Sequence, residues 1–320
     1  MTRVLVTGAS GFIAGRLVER LRRDGHRVRA AGRRPAVADE FVQADLRDAE
    51  QCRRAVEGTD VVFALAANMG GIGWTHHAPA EILRDNLLIT TQTVEAARAA
   101  GVTTLVYASS ACVYPRYLQT RPDSPALRED QVFPADPDMS YGWEKLTGET
   151  LCETYRDAYG MDIKVARLHT VYGPGAAWSG PRAKALMALC AKVAAIDGNA
   201  GTIEVWGDGT QTRSFCHVDD CVEGLTRLAA SGVTVPVNIG SDERVTIADA
   251  VRLIADAAGK EVTMSFAPHQ PVGPLGRSSD NTLCGELLGW TPGVPLAEGI
   301  RETYHWVATR VAGERSRAGV

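Results

Sequence analysis

Gly8-Ala-Ser-Gly11-Phe-Ile-Ala14-Gly15 follows the apolar run Arg3–Val6 and opens the amphipathic stretch Phe12–Arg23. Strand, glycine turn and helix in that order describe a loop built to cradle phosphate. Glycines permit a tight turn and close backbone approach, and a helix N-terminus favours an anionic pyrophosphate. Ala14 stands where a third glycine is frequent, and it is small enough for the helix to pack on the strand. The order of these parts, more than the letters, makes a dinucleotide site the expectation. Gly8, Gly11, Phe12 and Ile13 are its candidate contacts, with an ordinary strand-to-helix turn as the alternative reading.

Working outward, further β-rich runs are expected at Arg27–Ala31, Asp60–Leu65, Thr104–Ser109 and Asp162–Leu168. Helical patterns fill the gaps at Ala80–Ala100 and Tyr141–Tyr159. Alternation of this kind predicts an α/β fold, a Rossmann-like doubly wound parallel sheet with right-handed crossovers. After about Tyr172 the rhythm changes, with glycine and proline at Tyr172-Gly-Pro-Gly175, Trp206-Gly-Asp-Gly209 and Pro271 to Arg277. The expected division is a dinucleotide-binding domain over 1–170 and a smaller α/β substrate-binding domain over 171–310, with some elements interleaved. A last helix is placed at Leu296–Val311, and 311–320 reads as a polar tail.

Composition removes several function classes. The 320 residues are 45% hydrophobic and 22% charged, an ordinary water-soluble balance. A formal charge of −4 gives no general attraction to nucleic acid or to an anionic membrane. No run approaches the ~18 apolar residues of a membrane helix. The chain enters its first strand without a leader-like stretch, so a cytoplasmic location is expected. Seven scattered cysteines without a CxxC pair point to free thiols, and His76, His77, His169 and His217 lack metal-ligand spacing, so no metal is expected.

The second strand ends in Ala31-Gly32-Arg33-Arg34, where an acidic residue would mark the ribose of NAD. Two guanidinium groups would suit the 2′-phosphate of NADP, and two solvated arginines are the alternative. Asp45 and Leu46 are placed to meet the adenine. Farther on, Ser110 precedes Tyr141-Gly-Trp-Glu-Lys145. Residues i and i+4 share a helix face, so Lys145 lies one turn from Tyr141. Its charge is expected to lower a phenol whose ordinary pKa is ~10. Such a tyrosine takes a proton from a sugar hydroxyl while hydride leaves the same carbon.

Loop, strands and YxxxK together resemble the extended short-chain dehydrogenase/reductases. Ala66-Ala-Asn-Met-Gly-Gly-Ile-Gly73, Tyr107-Ala-Ser-Ser-Ala-Cys-Val-Tyr-Pro115, Arg182-Ala-Lys184-Ala and Trp206 to Phe215 resemble the GDP-mannose 3,5-epimerase branch, as do Asn238–Glu243 and Arg277–Asn281. That resemblance implies NAD, a GDP-hexose substrate, a homodimer through the helices at Ala80–Ala100 and Tyr141–Tyr159, and Cys112 with Lys184 as acid–base pair. It also implies a substrate contact at Lys192. Most cysteines in such a chain are small buried hydrophobes, and Cys152, Cys190, Cys221 and Cys284 are read so. Cys112 differs because its loop leaves the sheet beside Ser110, where Lys145 or Lys184 can lower a thiol of ordinary pKa ~8.5.

Arg213 and Arg277 are candidates to fork hydrogen bonds to the diphosphate. Gly70 and Gly71 would admit the hexose, and Gln211 and Thr212 would add polar contacts. Thr170 stands where the family usually shows Asn. The expected chemistry is oxidation at sugar carbon 4, proton exchange at a neighbouring carbon, and re-reduction. Inversion at carbons 3 and 5 gives GDP-L-galactose, and at 5 alone GDP-L-gulose. The nearest alternative is a GDP-4-keto-6-deoxymannose epimerase–reductase resembling GDP-L-fucose synthase and consuming NADPH. Against it stand Ala111 between Ser110 and Cys112, and Lys184 where that family carries His. A non-catalytic NADP-sensing regulator, from another class, usually lacks the YxxxK pair.

Overall fold

A computed structural model describes residues 1–318. In chain order the first elements are β1 (Arg3–Thr7), α1 (Phe12–Arg23), β2 (Arg27–Gly32), β3 (Glu40–Gln43), α2 (Ala49–Val56), β4 (Val61–Ala64), α3 (Ile72–His77), α4 (Pro79–Ala99), β5 (Thr104–Ser110), α5 (Met139–Tyr159) and β6 (Asp162–Leu168). Then come β7 (Val171–Tyr172), α6 (Ala185–Ala194), β8 (Ala200–Trp206), β9 (Thr212–Ser214), β10 (Cys216–His217), α7 (Val218–Ala229) and β11 (Val237–Ile239). The chain finishes with β12 (Arg244–Thr246), α8 (Ile247–Ala258), β13 (Glu261–Ala267), β14 (Gly276–Arg277), α9 (Thr282–Leu288) and α10 (Leu296–Ala318).

Seven strands form one parallel sheet in the order β11-β6-β5-β4-β1-β2-β3. Their apolar character follows from burial on both faces. On one face Val4, Val6 and Val106 pack against Leu17, Val18 and Leu21 of α1 and Val222, Leu225 and Leu228 of α7. On the other, Leu5, Val62, Leu105 and Tyr107 pack against Cys52 of α2, Val94 of α4 and Cys152 of α5. Strand order reverses between β1 and β4, and in such sheets the crevice at the carboxyl ends there receives the ligand.

A second lobe has its own core of α6, α8, α10 and the parallel pair β8–β13. Its three-stranded sheet, β12-β9-β14, lies beside the carboxyl edge of β5 through Arg277. The chain returns to the large sheet with α7 and β11, so residues beyond 171 take part in the first lobe. One outcome differs from the sequence reading. Residues 311–318, expected as a polar tail, continue α10, where Arg315 pairs with Asp197 at 2.7 Å. No helix among the described residues is long and apolar enough to cross a membrane.

Candidate active site

The phosphate loop has the expected build. Gly8 sits at φ +69, and a Cβ there would come within 2.9 Å of the Ala66 backbone, so only glycine fits between β1 and the end of β4. Gly11 caps α1 without a side-chain bond, which leaves the helix N-terminus facing the crevice; Phe12 and Ile13 are half-buried behind it. A cradle of this shape fits a dinucleotide pyrophosphate. At the neighbouring strand end Arg33 and Arg34 are exposed. The Asp45 carboxylate is held below its ordinary value by hydrogen bonds from Arg47, and Leu46 is buried.

Two glycines press α5 onto the sheet. A Cβ at Gly148 would lie 2.1 Å from the Tyr107 hydroxyl, and one at Gly142 would lie 2.3 Å from the Cys112 carbonyl. Tyr141 therefore faces the turn at 111–113, where Ser110 Oγ accepts from the Cys112 amide at 3.2 Å. Lys145 Nζ lies 5.6 Å from the centre of the Tyr141 ring. The expected lowering of the phenol is not what the chain produces by itself. Burial first, then Glu144 and Cys112, hold Tyr141 well above its ordinary value, with only the Ser110 hydroxyl acting against them.

Cys112 is set apart by its surroundings. The other six cysteines are buried, whereas Cys112 is half-exposed. Its sulfur accepts a hydrogen bond from Arg277 Nη1 at 3.3 Å. Arg277 is itself fixed by Gln119 Oε1 at 2.5 Å and Asp138 Oδ2 at 3.1 Å. Arg213 lies close enough to feel Arg277, Asp138 and the thiol, and burial with the nearby guanidinium brings it down to about 10. Of the two arginines expected at the diphosphate, Arg277 contacts the sulfur, while Arg213 donates to Thr212 O at 2.7 Å and Val272 O at 2.9 Å. Lys184 is the N-cap residue of α6, without a side-chain capping bond, and is exposed. Desolvation pushes its ammonium below the ordinary value, opposed by the Cys112 and Cys221 thiols.

The loop carrying Lys184 is tied to the end of β4. Arg182 donates to Met69 O at 2.9 Å and Asn68 Oδ1 at 3.3 Å, and its guanidinium lies 4.4 Å over the Trp74 ring. Gly70 and Gly71 serve this packing: added Cβ atoms would meet Trp74 at 2.7 Å and the Ala183 carbonyl at 2.2 Å. Gln211 donates to Trp206 O and Thr212 to Pro122 O, so both brace the second lobe. Lys192, on the far turns of α6, donates to Glu204 O at 2.7 Å. Thr170 adopts φ +24 between β6 and β7. Gln119, Asp138, Asn86 and Glu144 had no sequence signal, because their partners are remote in the chain or sit inside a motif read for its ends.

Residues 4–240 match the NAD dependent epimerase/dehydratase family. The chain is 40% identical over 322 aligned positions to GDP-mannose 3,5-epimerase of Arabidopsis thaliana, covering 98% of this chain and 84% of that protein. It is 39% identical, with the same coverage, to GDP-mannose 3,5-epimerase 1 of Oryza sativa subsp. japonica. Among solved structures, UDP-glucuronic acid 4-epimerase from Bacillus cereus in complex with UDP-glucuronic acid and NAD is 26% identical with a TM-score of 0.82, covering 96% of this chain and 99% of that one. Fold, phosphate cradle, Tyr–Lys helix and similarity along nearly the whole length agree, and the chain belongs to the NAD dependent epimerase/dehydratase family.

Proposed function

We propose that the protein is a GDP-mannose 3,5-epimerase, or 5-epimerase, working with tightly held NAD. The observation that carries this reading is the position of the Cys112 sulfur. It contacts Arg277 and lies within electrostatic reach of Tyr141, Lys184 and Arg213, side chains drawn from both lobes. Inversion at carbon 4 alone needs no such second acid–base pair, whereas inversion at its neighbours does. Similarity to the plant GDP-mannose 3,5-epimerases supports the sugar and its nucleotide.

Gly8, Gly11 and the start of α1 would hold the pyrophosphate, with Tyr141 and Lys145 at the reacting end. Bound NAD would supply reversible hydride acceptance at sugar carbon 4, with no redox equivalent consumed overall. Tyr141 accepts the proton of the carbon 4 hydroxyl, assisted by Ser110. The resulting ketone acidifies the hydrogens on both adjacent carbons. Cys112, whose sulfur accepts a hydrogen bond from Arg277, removes one as a proton. Lys184, whose ammonium desolvation makes readier to release a proton, donates to the opposite face. Solvent then resets the pair, and Tyr141 returns its proton to oxygen.

GDP-mannose turned over in heavy water should acquire deuterium at carbon 5, and at carbon 3 if that centre also inverts. Cys112→Ala should lose this exchange while still binding NAD. Absence of exchange, together with reduction of a GDP-4-keto-6-deoxy sugar by NADPH, would replace the epimerase reading with a reductase. We further propose that two copies pair through the outer faces of α4 and α5. A cytoplasmic location fits the seven free thiols and is checked by cell fractionation.

A further inference from the structure

We propose that Glu144 is a positioning residue: it shares the charge of Lys145, so that Tyr141 keeps its proton until a positively charged nicotinamide lies beside it. The inference rests on Tyr141 being the base at carbon 4. Glu144 is 0% exposed, yet it stands between the two residues of the YxxxK pair. Its Oε1 lies 3.6 Å from Lys145 Nζ and accepts from Asn86 Nδ2 at 2.9 Å, while Oε2 has no hydrogen-bond partner among the described residues. A buried carboxylate with spare lone pairs is costly, and glutamine would keep the Asn86 contact without the charge. Burial pushes the Glu144 carboxyl above its ordinary value, and Lys145 and then Asn86 act against burial in favour of the charged form, so the charge itself calls for a use.

The surroundings show what it acts on. Lys145 is the cation beside the phenol, 5.6 Å from the Tyr141 ring and 5.0 Å from the Tyr107 ring. On α5 the charged neighbours are Lys145 and Glu144. From α4 comes the neutral Asn86, since Asp85 turns to Arg47 and Arg84. Tyr107 faces the pair from β5, and Ser110 and Cys112 face Tyr141 from the following turn. After burial, Glu144 is the strongest influence holding the Tyr141 proton in place, and it acts on Tyr107 in the same direction. With the lysine offset by a carboxylate, proton removal waits for a further positive charge, which only the oxidised cofactor brings.

The test reads the phenol directly. Protein carrying NAD, labelled with carbon-13 at the tyrosine ζ position, is titrated by NMR, and Tyr141→Phe assigns the signal. In Glu144→Gln the Tyr141 midpoint should fall by about one pH unit relative to the parent, and Glu144→Asp should restore it. If the glutamine variant does not fold, Glu144→Leu, an apolar replacement of similar reach, carries the same expectation. A midpoint unmoved in the folded variant, or undetected in both proteins up to about pH 10.5, overturns the inference. No sugar turnover is needed, so a lowered midpoint alongside a failed GDP-mannose assay would remove the substrate reading alone.

Discussion

Chemistry at the residue scale turns on which of seven similar thiols is placed to react. Burial drives Cys52 up to about 11 and Cys152, Cys190, Cys221 and Cys284 up to about 12, values at which a thiol is inert. Cys112 instead lies on a partly exposed turn, where its sulfur accepts a hydrogen bond from Arg277. Composition shows seven cysteines and no more; the resemblance singled out Cys112, and the fold supplies the guanidinium. Thr170 illustrates the opposite case, a departure from the family visible in the sequence whose physical meaning lies in the backbone. At φ +24 a β-branched side chain crowds its own main chain, whereas Asn tolerates this region. Thr170→Asn should therefore raise stability by about 1 kcal/mol in urea denaturation, and a loss of stability would remove strain from the account.

Among the elements, α5 decides the geometry of the site. Its i, i+4 spacing made Tyr141 and Lys145 legible, but its seating depends on Gly142 and Gly148, which looked unremarkable in sequence. A second constraint is polar. Glu149 of α5 holds Arg167 of β6 at 2.8 Å and accepts from Ser109 of β5, while Asn238 of β11 joins Tyr114 at 2.6 Å and His169 at 3.0 Å. Buried pairs of this kind are costly to leave half-made. Glu149→Ala should lower unfolding free energy by about 3–5 kcal/mol, read from denaturant midpoints, and a loss below ~1 kcal/mol would mean the arginine finds other partners. The last helix was legible as far as Val311 because its apolar spacing ends there. Its continuation to Ala318 is helped by the Arg315–Asp197 pair, a contact no local pattern reveals.

For the whole molecule, the outer surfaces of α4 and α5 carry Leu88 at 39% and Trp143 at 47% exposure, large apolar groups on a helix pair. Light scattering should give twice the 34.2 kDa chain mass, and Trp143→Glu should give the single mass without loss of helix content. A parent protein at the single mass would end the dimer proposal. The parallel sheet, its first helix and the phosphate loop were determined by the sequence alone, because they arise from neighbours: short apolar runs buried on both faces, glycine in a turn, one helical face. The short strand β11, three buried residues, is too brief to carry any periodicity and exists because β6 offers it an edge. Arg277 and Cys112 are 165 residues apart, and their contact belongs to the packing of one lobe on the other. Likewise Glu144 reads as a helix-surface residue until the burial of α5 against β5 removes it from water. Tertiary structure decided these points because charge interactions depend on distance and desolvation, and neither is written in a stretch of neighbouring residues.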